Sequence, residues 1–132
     1  MTDGLPARLR GVIAFPITPF REDFSLDLPG LRDNIQRLLA YPVSAVVAAG
    51  GTGEMYSLTP SEHCEVVKAI VEVVGHRVPV FSGTGFNQQI AIELARQSAR
   101  LGVDAILVLP PYYPNADDEA LAEYYAAVGA AT

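Results

Sequence analysis

The sequence predicts an α/β fold of four consecutive βα units on a parallel sheet. Three observations carry this. Four short apolar runs alternate with four amphipathic stretches. The strand starts, near residues 12, 45, 78 and 105, are spaced by roughly 27 to 33 residues, long enough for a parallel crossover. The second apolar run has no polar alternation, as suits a strand covered on both faces.

The first unit opens with residues 11–17 (GVIAFPI), a strand whose length Pro16 restricts. A polar turn spans 18–25. Asp27 then caps a helix with Leu28, Leu31, Ile35, Leu38 and Leu39 on one face, closed by Tyr41-Pro42. The second strand is 44–49 (SAVVAA), stopped by Gly50-Gly51-Thr52-Gly53. The next helix start is the clearest in the chain. Thr59 caps, Pro60 takes the first helical position where its missing N–H is harmless, and Glu62 completes a capping box. Val66, Val67, Ile70, Val71 and Val74 form its inward stripe, and Gly75 its C-terminal cap. Residues 77–81 (RVPVF) read as the third strand, followed by Gly83-Thr84-Gly85. A helix over 87–100 turns Ile90, Leu94 and Leu101 inward and ends at Gly102. Residues 104–109 (DAILVL) are the fourth strand, broken by Pro110-Pro111. A last helix begins after Asn115 and includes Leu121, Tyr125 and Val128. An open doubly wound sheet and a (β/α)8 barrel both begin in this order, but a complete barrel needs about 250 residues.

Composition narrows the function. Nine Lys+Arg against fifteen Asp+Glu give a net charge of −6 over 132 residues, which argues against a nucleic-acid partner. A single cysteine, Cys64, excludes an internal disulfide and a multi-cysteine metal site. His63 and His76 are too far apart for a local metal motif, so no metal is expected. No apolar run approaches the roughly 20 residues of a membrane span, and no signal peptide is visible. A cytoplasmic location without membrane association is the expectation.

The strongest site signal is the 50–54 loop, GGTGE, directly after a buried strand. Ligands bind parallel α/β folds at the carboxyl ends of strands. Glycines there admit close approach of the backbone and can aim N–H groups at an anion, and Thr52 adds a hydroxyl. The competing reading is a tight turn with no ligand. The loop lacks the Gly-Lys-Ser/Thr ending of a phosphate loop and the spacing of a dinucleotide fingerprint. Gly83-Thr84-Gly85 and Pro111-Tyr112-Tyr113 should share its rim, and a tyrosine hydroxyl there could relay a proton. Glu54 could orient loop amides. His63 and Cys64 read as packing or surface residues. Lys68, the sole lysine, sits mid-helix beside an apolar stripe and reads as solvated.

These segments together resemble the N-terminal half of the dihydrodipicolinate synthase / N-acetylneuraminate lyase family. The matching segments are residues 11–20 (GVIAFPITPF), the 50–54 loop, 57–60 (SLTP), 78–80 (VPV) with Gly83-Thr84-Gly85, and 111–113 (PYY). The resemblance implies that residues 1–132 are the N-terminal half of a single (β/α)8 barrel domain, its first four βα units. It implies a homodimer or homotetramer, and chemistry on a small 2-oxo acid through a lysine Schiff base with no other cofactor. That lysine, at the end of the sixth strand, and a catalytic tyrosine ending the fifth would both lie beyond Thr132, and Lys68 does not fall on the lysine's position. The family's hydroxyl pair falls on Gly51 and Thr52. Thr52 matches, while Gly51 resembles the 5-dehydro-4-deoxyglucarate dehydratases, whose loop also reads AAGGTGE and continues into SLTP, as residues 48–54 and 57–60 do here. Tyr113 falls on the tyrosine that crosses the dimer interface in the synthases, a position where dehydratases often differ. The resemblance thus gives Thr52 and Tyr113 catalytic roles and places Gly51, Thr52 and Gly53 against substrate. It favours a decarboxylating dehydratase over a 4-hydroxy-tetrahydrodipicolinate synthase or another pyruvate-dependent aldolase. A non-catalytic half-barrel that self-associates is the alternative outside enzymology.

Overall fold

A computed structural model describes residues 4–111 and 116–132. After a single helical turn, α1 (Leu5–Arg8), the chain alternates β1 (Val12–Ala14), α2 (Leu28–Leu38), β2 (Val43–Ala48), α3 (Pro60–Val74), β3 (Val80–Thr84), α4 (Gln88–Arg100), β4 (Ala105–Val108) and α5 (Asp118–Gly129). A 3₁₀ turn, Met55–Ser57, lies between β2 and α3. The four strands are parallel in the order β1-β2-β3-β4, so each crossover moves one strand along. That sequential order is the one in which the first half of a (β/α)8 barrel winds, and the doubly wound alternative falls with it.

The helix starts follow their caps. The Asp27 carboxylate accepts from the Gly30 N–H at 3.0 Å. Thr59 Oγ1 accepts from the Glu62 N–H at 3.3 Å, while the Glu62 carboxylate accepts from the Thr59 N–H at 2.8 Å. This reciprocal box holds the Glu62 carboxyl below its usual range. Gly75 adopts φ +53°, the left-handed cap for which glycine has no steric penalty. Beneath these helices Leu31, Ile35, Val46, Ala48, Val66, Val67, Ile70 and Val74 close into one core. A second, smaller cluster joins Ala91, Ala95, Tyr124 and Val128.

Two strands differ in extent from the sequence expectation, while the last helix begins after Asn115 as expected; β1 keeps only Val12–Ala14 of residues 11–17. The third strand is displaced toward the C-terminus, to Val80–Thr84 rather than 77–81. Arg77 is used elsewhere: its guanidinium donates to the Val74 and Val73 carbonyls at the end of α3. Pro79 has no N–H to give a ladder, and the Val80 N–H donates to the Asp104 carboxylate at 2.8 Å. The strand then runs through Gly83 and Thr84, which pair with Leu107 and Val108. The last helix starts at Asp118 behind an Asp117 cap and buries Tyr124, leaving Tyr125 exposed. Among the described residues no helix is long and apolar enough to cross a membrane.

Candidate active site

The strand order brings the loops after β1, β2, β3 and β4 to one rim. The loop after β2 is a tight hydrogen-bonded turn. Glu54 N–H donates to the Gly51 carbonyl at 3.1 Å, and Met55 N–H to the Gly50 carbonyl at 3.2 Å. Two non-glycine residues in the left-handed region bracket it, Ala49 at φ +47° and Glu54 at φ +53°. Such backbone is held only where its surroundings over-determine it. Thr18, from the segment after β1, supplies one restraint by donating its hydroxyl to the Gly53 carbonyl at 2.8 Å.

The three glycines of this loop have different reasons. A Cβ at Gly50 would come within 3.0 Å of Phe15 and Val47. One at Gly53 would lie 3.2 Å from the Ala49 Cα and the Pro16 carbonyl oxygen. At Gly51 a Cβ would meet nothing within 4 Å. Gly50 and Gly53 are therefore close-packed, whereas Gly51 and Thr52 form an exposed tip. Glu54 is exposed beside them.

The loop rests on the end of β3. A Cβ at Gly83 would collide with the Ala49 carbonyl oxygen, so glycine there lets the two strand ends approach. Behind Gly83 lies a buried polar chain. His63, 1% exposed on α3, places Nε2 2.8 Å from the Gly83 carbonyl. A carbonyl can only accept, so Nε2 carries the proton and the ring is the Nε2–H tautomer. Ser82 Oγ lies 3.4 Å from the same nitrogen, and Ser98 on α4 donates to Ser82 at 2.9 Å. The Thr84 hydroxyl turns away from the rim to the Ala91 carbonyl. Burial holds the His63 pKa below its ordinary value, partly opposed by the bond to Gly83. His63 is thus a packing residue with a specific task, keeping the end of β3 in place beneath the loop.

Cys64 donates its thiol to Gln97 Oε1 at 2.7 Å, and burial with nearby Glu93 pushes its pKa up. A protonated, occupied thiol is no nucleophile. Lys68 is exposed on α3, on the outer layer. Tyr113 lies outside the described residues. The structure therefore joins Gly51, Thr52 and Gly53 in one loop and leaves Lys68 apart from them. Sequence reasoning missed Thr18 and Tyr56 at this rim. For Thr18 the only available signal is its place in the residue 11–20 segment.

With this geometry in view, comparison decides the lineage. The pattern of the dihydrodipicolinate synthetase family matches residues 8–132. The chain belongs to that family. A protein of Bradyrhizobium sp. strain ORS 278, described as a probable 5-dehydro-4-deoxyglucarate dehydratase, is 46% identical over 118 residues, covering 89% of this chain and 38% of its own length. One of the same description from Saccharopolyspora erythraea is 45% identical over 122 residues, covering 92% of this chain and 40% of its own. Among solved structures, a dihydrodipicolinate synthase from Bacillus clausii superposes with a TM-score of 0.91 at 30% identity, over 96% of this chain and 43% of that one. The chloride-inhibited synthase of Acinetobacter baumannii, solved with pyruvate, gives 0.89 at 32% identity over 94% and 43%. The chain spans about two fifths of the length of the curated relatives it matches. The fold is that of the first four βα units of a (β/α)8 barrel.

Proposed function

We propose that the complete protein is a Schiff-base lyase acting on a small 2-oxo acid, and that its substrate is 5-dehydro-4-deoxyglucarate. The observation that carries this is the tip of the 50–54 loop, where an unobstructed glycine adjoins a threonine hydroxyl at a strand end. Relatives 41–46% identical and described as probable 5-dehydro-4-deoxyglucarate dehydratases support the same reading. We further propose that residues 1–132 form the N-terminal half of a single barrel domain. In support, among the described residues β1 and β4 each pair on one side only, and Val12 and Ile17 on the β1 side remain 62% and 57% exposed. Homodimer or homotetramer assembly and a cytoplasmic location belong to this proposal.

In the reaction, a lysine outside these 132 residues forms an imine with the C2 ketone. The imine accepts the electron pair when the C3 proton leaves. Counted from the carboxylate beside the ketone, the C4 hydroxyl departs as water with that proton. The far carboxyl then leaves as carbon dioxide, its electron pair passing through the conjugated chain to the imine. Reprotonation at carbon with hydrolysis of the imine frees the lysine and yields 2,5-dioxopentanoate. Thr52 holds the substrate carboxylate or passes a proton at the imine, with the backbone of Gly51 and Gly53 against the substrate. Tyr113 is the second proton-handling group. The amine is not Lys68, which stands exposed on α3 in the outer helical layer, away from the loops at the strand ends.

A second reading, a dihydrodipicolinate synthase, is favoured by the names of the solved relatives and by Tyr113. Assay of the complete protein on 5-dehydro-4-deoxyglucarate, beside pyruvate with aspartate semialdehyde, separates the two. Turnover of the first substrate is expected, and turnover only of the second pair overturns the dehydratase. Borohydride reduction with pyruvate should trap an adduct on a lysine outside residues 1–132, and a stoichiometric adduct on Lys68 would overturn the placement of the site.

A further inference from the structure

The tip that carries Thr52 is one β-turn, and a single peptide group closes it. Thr52 and Gly53 are the central residues of the turn, since the Glu54 N–H donates to the Gly51 carbonyl at 3.1 Å. The peptide joining Gly53 to Glu54 thus gives its N–H to the turn. Its carbonyl is held from outside: the Thr18 hydroxyl donates to the Gly53 carbonyl at 2.8 Å, across 35 positions of sequence. Both polar groups of this peptide are occupied, and its plane is fixed with them. Glu54, the next residue, stands at φ +53°, where a non-glycine residue rests only under restraint.

The donor stands on a stiff support. Pro16 and Pro19 flank Ile17 and Thr18, each with a fixed φ. Thr18 precedes a proline, which biases its own backbone toward extended conformations. The Pro19 carbonyl accepts from the Asp27 N–H at 2.9 Å, and Phe20 bridges antiparallel to Leu26, so the segment is tied down beyond Thr18. Pro16 is buried, and its carbonyl oxygen is 3.2 Å from where a Gly53 Cβ would stand. The chain leaving β1 is thus seated on Gly53 at two points, a close backbone approach and a hydrogen bond. Gly51 and Thr52 stand exposed above this seat, so their placement follows that of Gly53.

We propose that Thr18 is a positioning residue: its hydroxyl fixes the peptide that closes the 51–54 turn, and so sets where Thr52 stands at the strand end. This rests on the reading of Thr52 as the group that holds the substrate carboxylate or passes a proton. It does not make Thr18 catalytic, since its hydroxyl hydrogen is committed to Gly53.

The test is a double-mutant cycle in the complete protein with Thr18→Val and Thr52→Val, run beside Thr18→Ser. Valine nearly keeps the volume and removes the hydroxyl, whereas serine keeps the hydroxyl. On the substrate turned over, Thr18→Val should lower kcat roughly five- to tenfold with KM within about twofold, since misplacement of a reacting group slows chemistry more than binding. Thr18→Ser should stay within about twofold of the native kcat. In the Thr52→Val background, Thr18→Val should lower kcat less than about twofold, because the group being positioned no longer acts. Amide exchange in peptides spanning 50–56 should quicken in Thr18→Val and not in Thr18→Ser. Should Thr18→Val not fold, Thr18→Ala takes its place in the cycle. An unchanged kcat, an equal loss in both backgrounds, or a serine variant as slow as the valine one overturns the proposal. If the complete protein turns over neither substrate pair, or if Thr52→Val keeps its full kcat, the functional reading fails separately. Exchange then decides the positioning alone: faster exchange sustains it and unchanged exchange overturns it.

Discussion

The two glycine-threonine-glycine segments of the rim look alike in sequence and differ in what their glycines do. In Gly83-Thr84-Gly85 the first glycine is demanded by the Ala49 backbone, the second lies against the ends of the Met55 and Tyr56 side chains, and the Thr84 hydroxyl is buried against the Ala91 carbonyl. In Gly51-Thr52-Gly53 only Gly53 is close-packed, while Gly51 and Thr52 stand exposed. The first is a joint between strands. The second is a joint with a free tip, and the tip is where a ligand can be met. At Gly51 neither φ nor a described neighbour calls for glycine, and the proposed substrate supplies the reason for it.

The sharpest way to break this contrast is Gly83→Ala. The added methyl would press on the Ala49 carbonyl, which is backbone and cannot swing aside. A loss of about 3 kcal/mol, at the upper end for overpacking, is expected as a drop in the urea midpoint of the complete protein. A loss below about 1 kcal/mol would show that the strand ends are not locked together.

Thr52→Val examines the other segment with the opposite readout. The residue is exposed, so its stability should change by less than about 0.5 kcal/mol. Turnover should fall about 10²-fold or more, equivalent to about 2.7 kcal/mol of transition-state stabilisation. Unchanged kcat with intact folding would remove Thr52 from the mechanism.

His63 joins the packed segment to the helical layer, and it predicts a pH effect. The folded chain holds His63 below its ordinary pKa of about 6.5, chiefly by burial. Between the folded value and 6.5 the unfolded chain therefore binds more protons. The stability contribution is complete above about pH 6.5 and is lost as pH falls through that window, by at most about 1.4 kcal/mol per pH unit. Urea midpoints at pH 7.5 and 5.5 should show this slope in the native protein and a shallower one in His63→Gln. His63→Phe should cost about 1–3 kcal/mol at pH 7.5, because the Gly83 carbonyl loses its 2.8 Å donor and keeps only the longer bond from the Ser82 hydroxyl at 3.4 Å. An identical slope in all three would detach His63 from the effect.

The difference between the segments also marks how far sequence could be read. Local signals were legible: the Asp27 and Thr59 caps, Pro60, the Gly75 terminator and the buried run into β2 all act within a few residues of themselves. The 50–54 loop stood out because it follows that run directly. The extent of β3 was not legible. Gly83-Thr84 reads as a turn by local preference, and only its seat under Ala49 and its pairing with Leu107 and Val108 keep it in the strand. The adjacent Tyr124 and Tyr125 could not be told apart without knowing that Leu109 offers a carbonyl to the first. Tyr56 gave no signal at all, since the Pro110 carbonyl to which its hydroxyl donates is far away in the chain. The bond from His63 to Gly83, across 20 positions, was hidden in the same way.

The smallest effect tests the contrast most delicately. Gly51→Ala adds a methyl where the described structure has open space and where the backbone is not in the left-handed region. The folded state should accept it without strain. The unfolded chain loses conformational freedom, so stability should rise by about 0.4–1 kcal/mol. If Gly51 is kept to leave room beside Thr52, the gain will come with a higher KM for 5-dehydro-4-deoxyglucarate. Borohydride trapping of the much smaller pyruvate should be nearly unchanged. Stabilisation with an unaltered KM would make Gly51 a dispensable surface glycine. Destabilisation beyond about 1 kcal/mol would mean that the tip is packed in the complete protein, and that the two segments differ less than the structure of these residues implies.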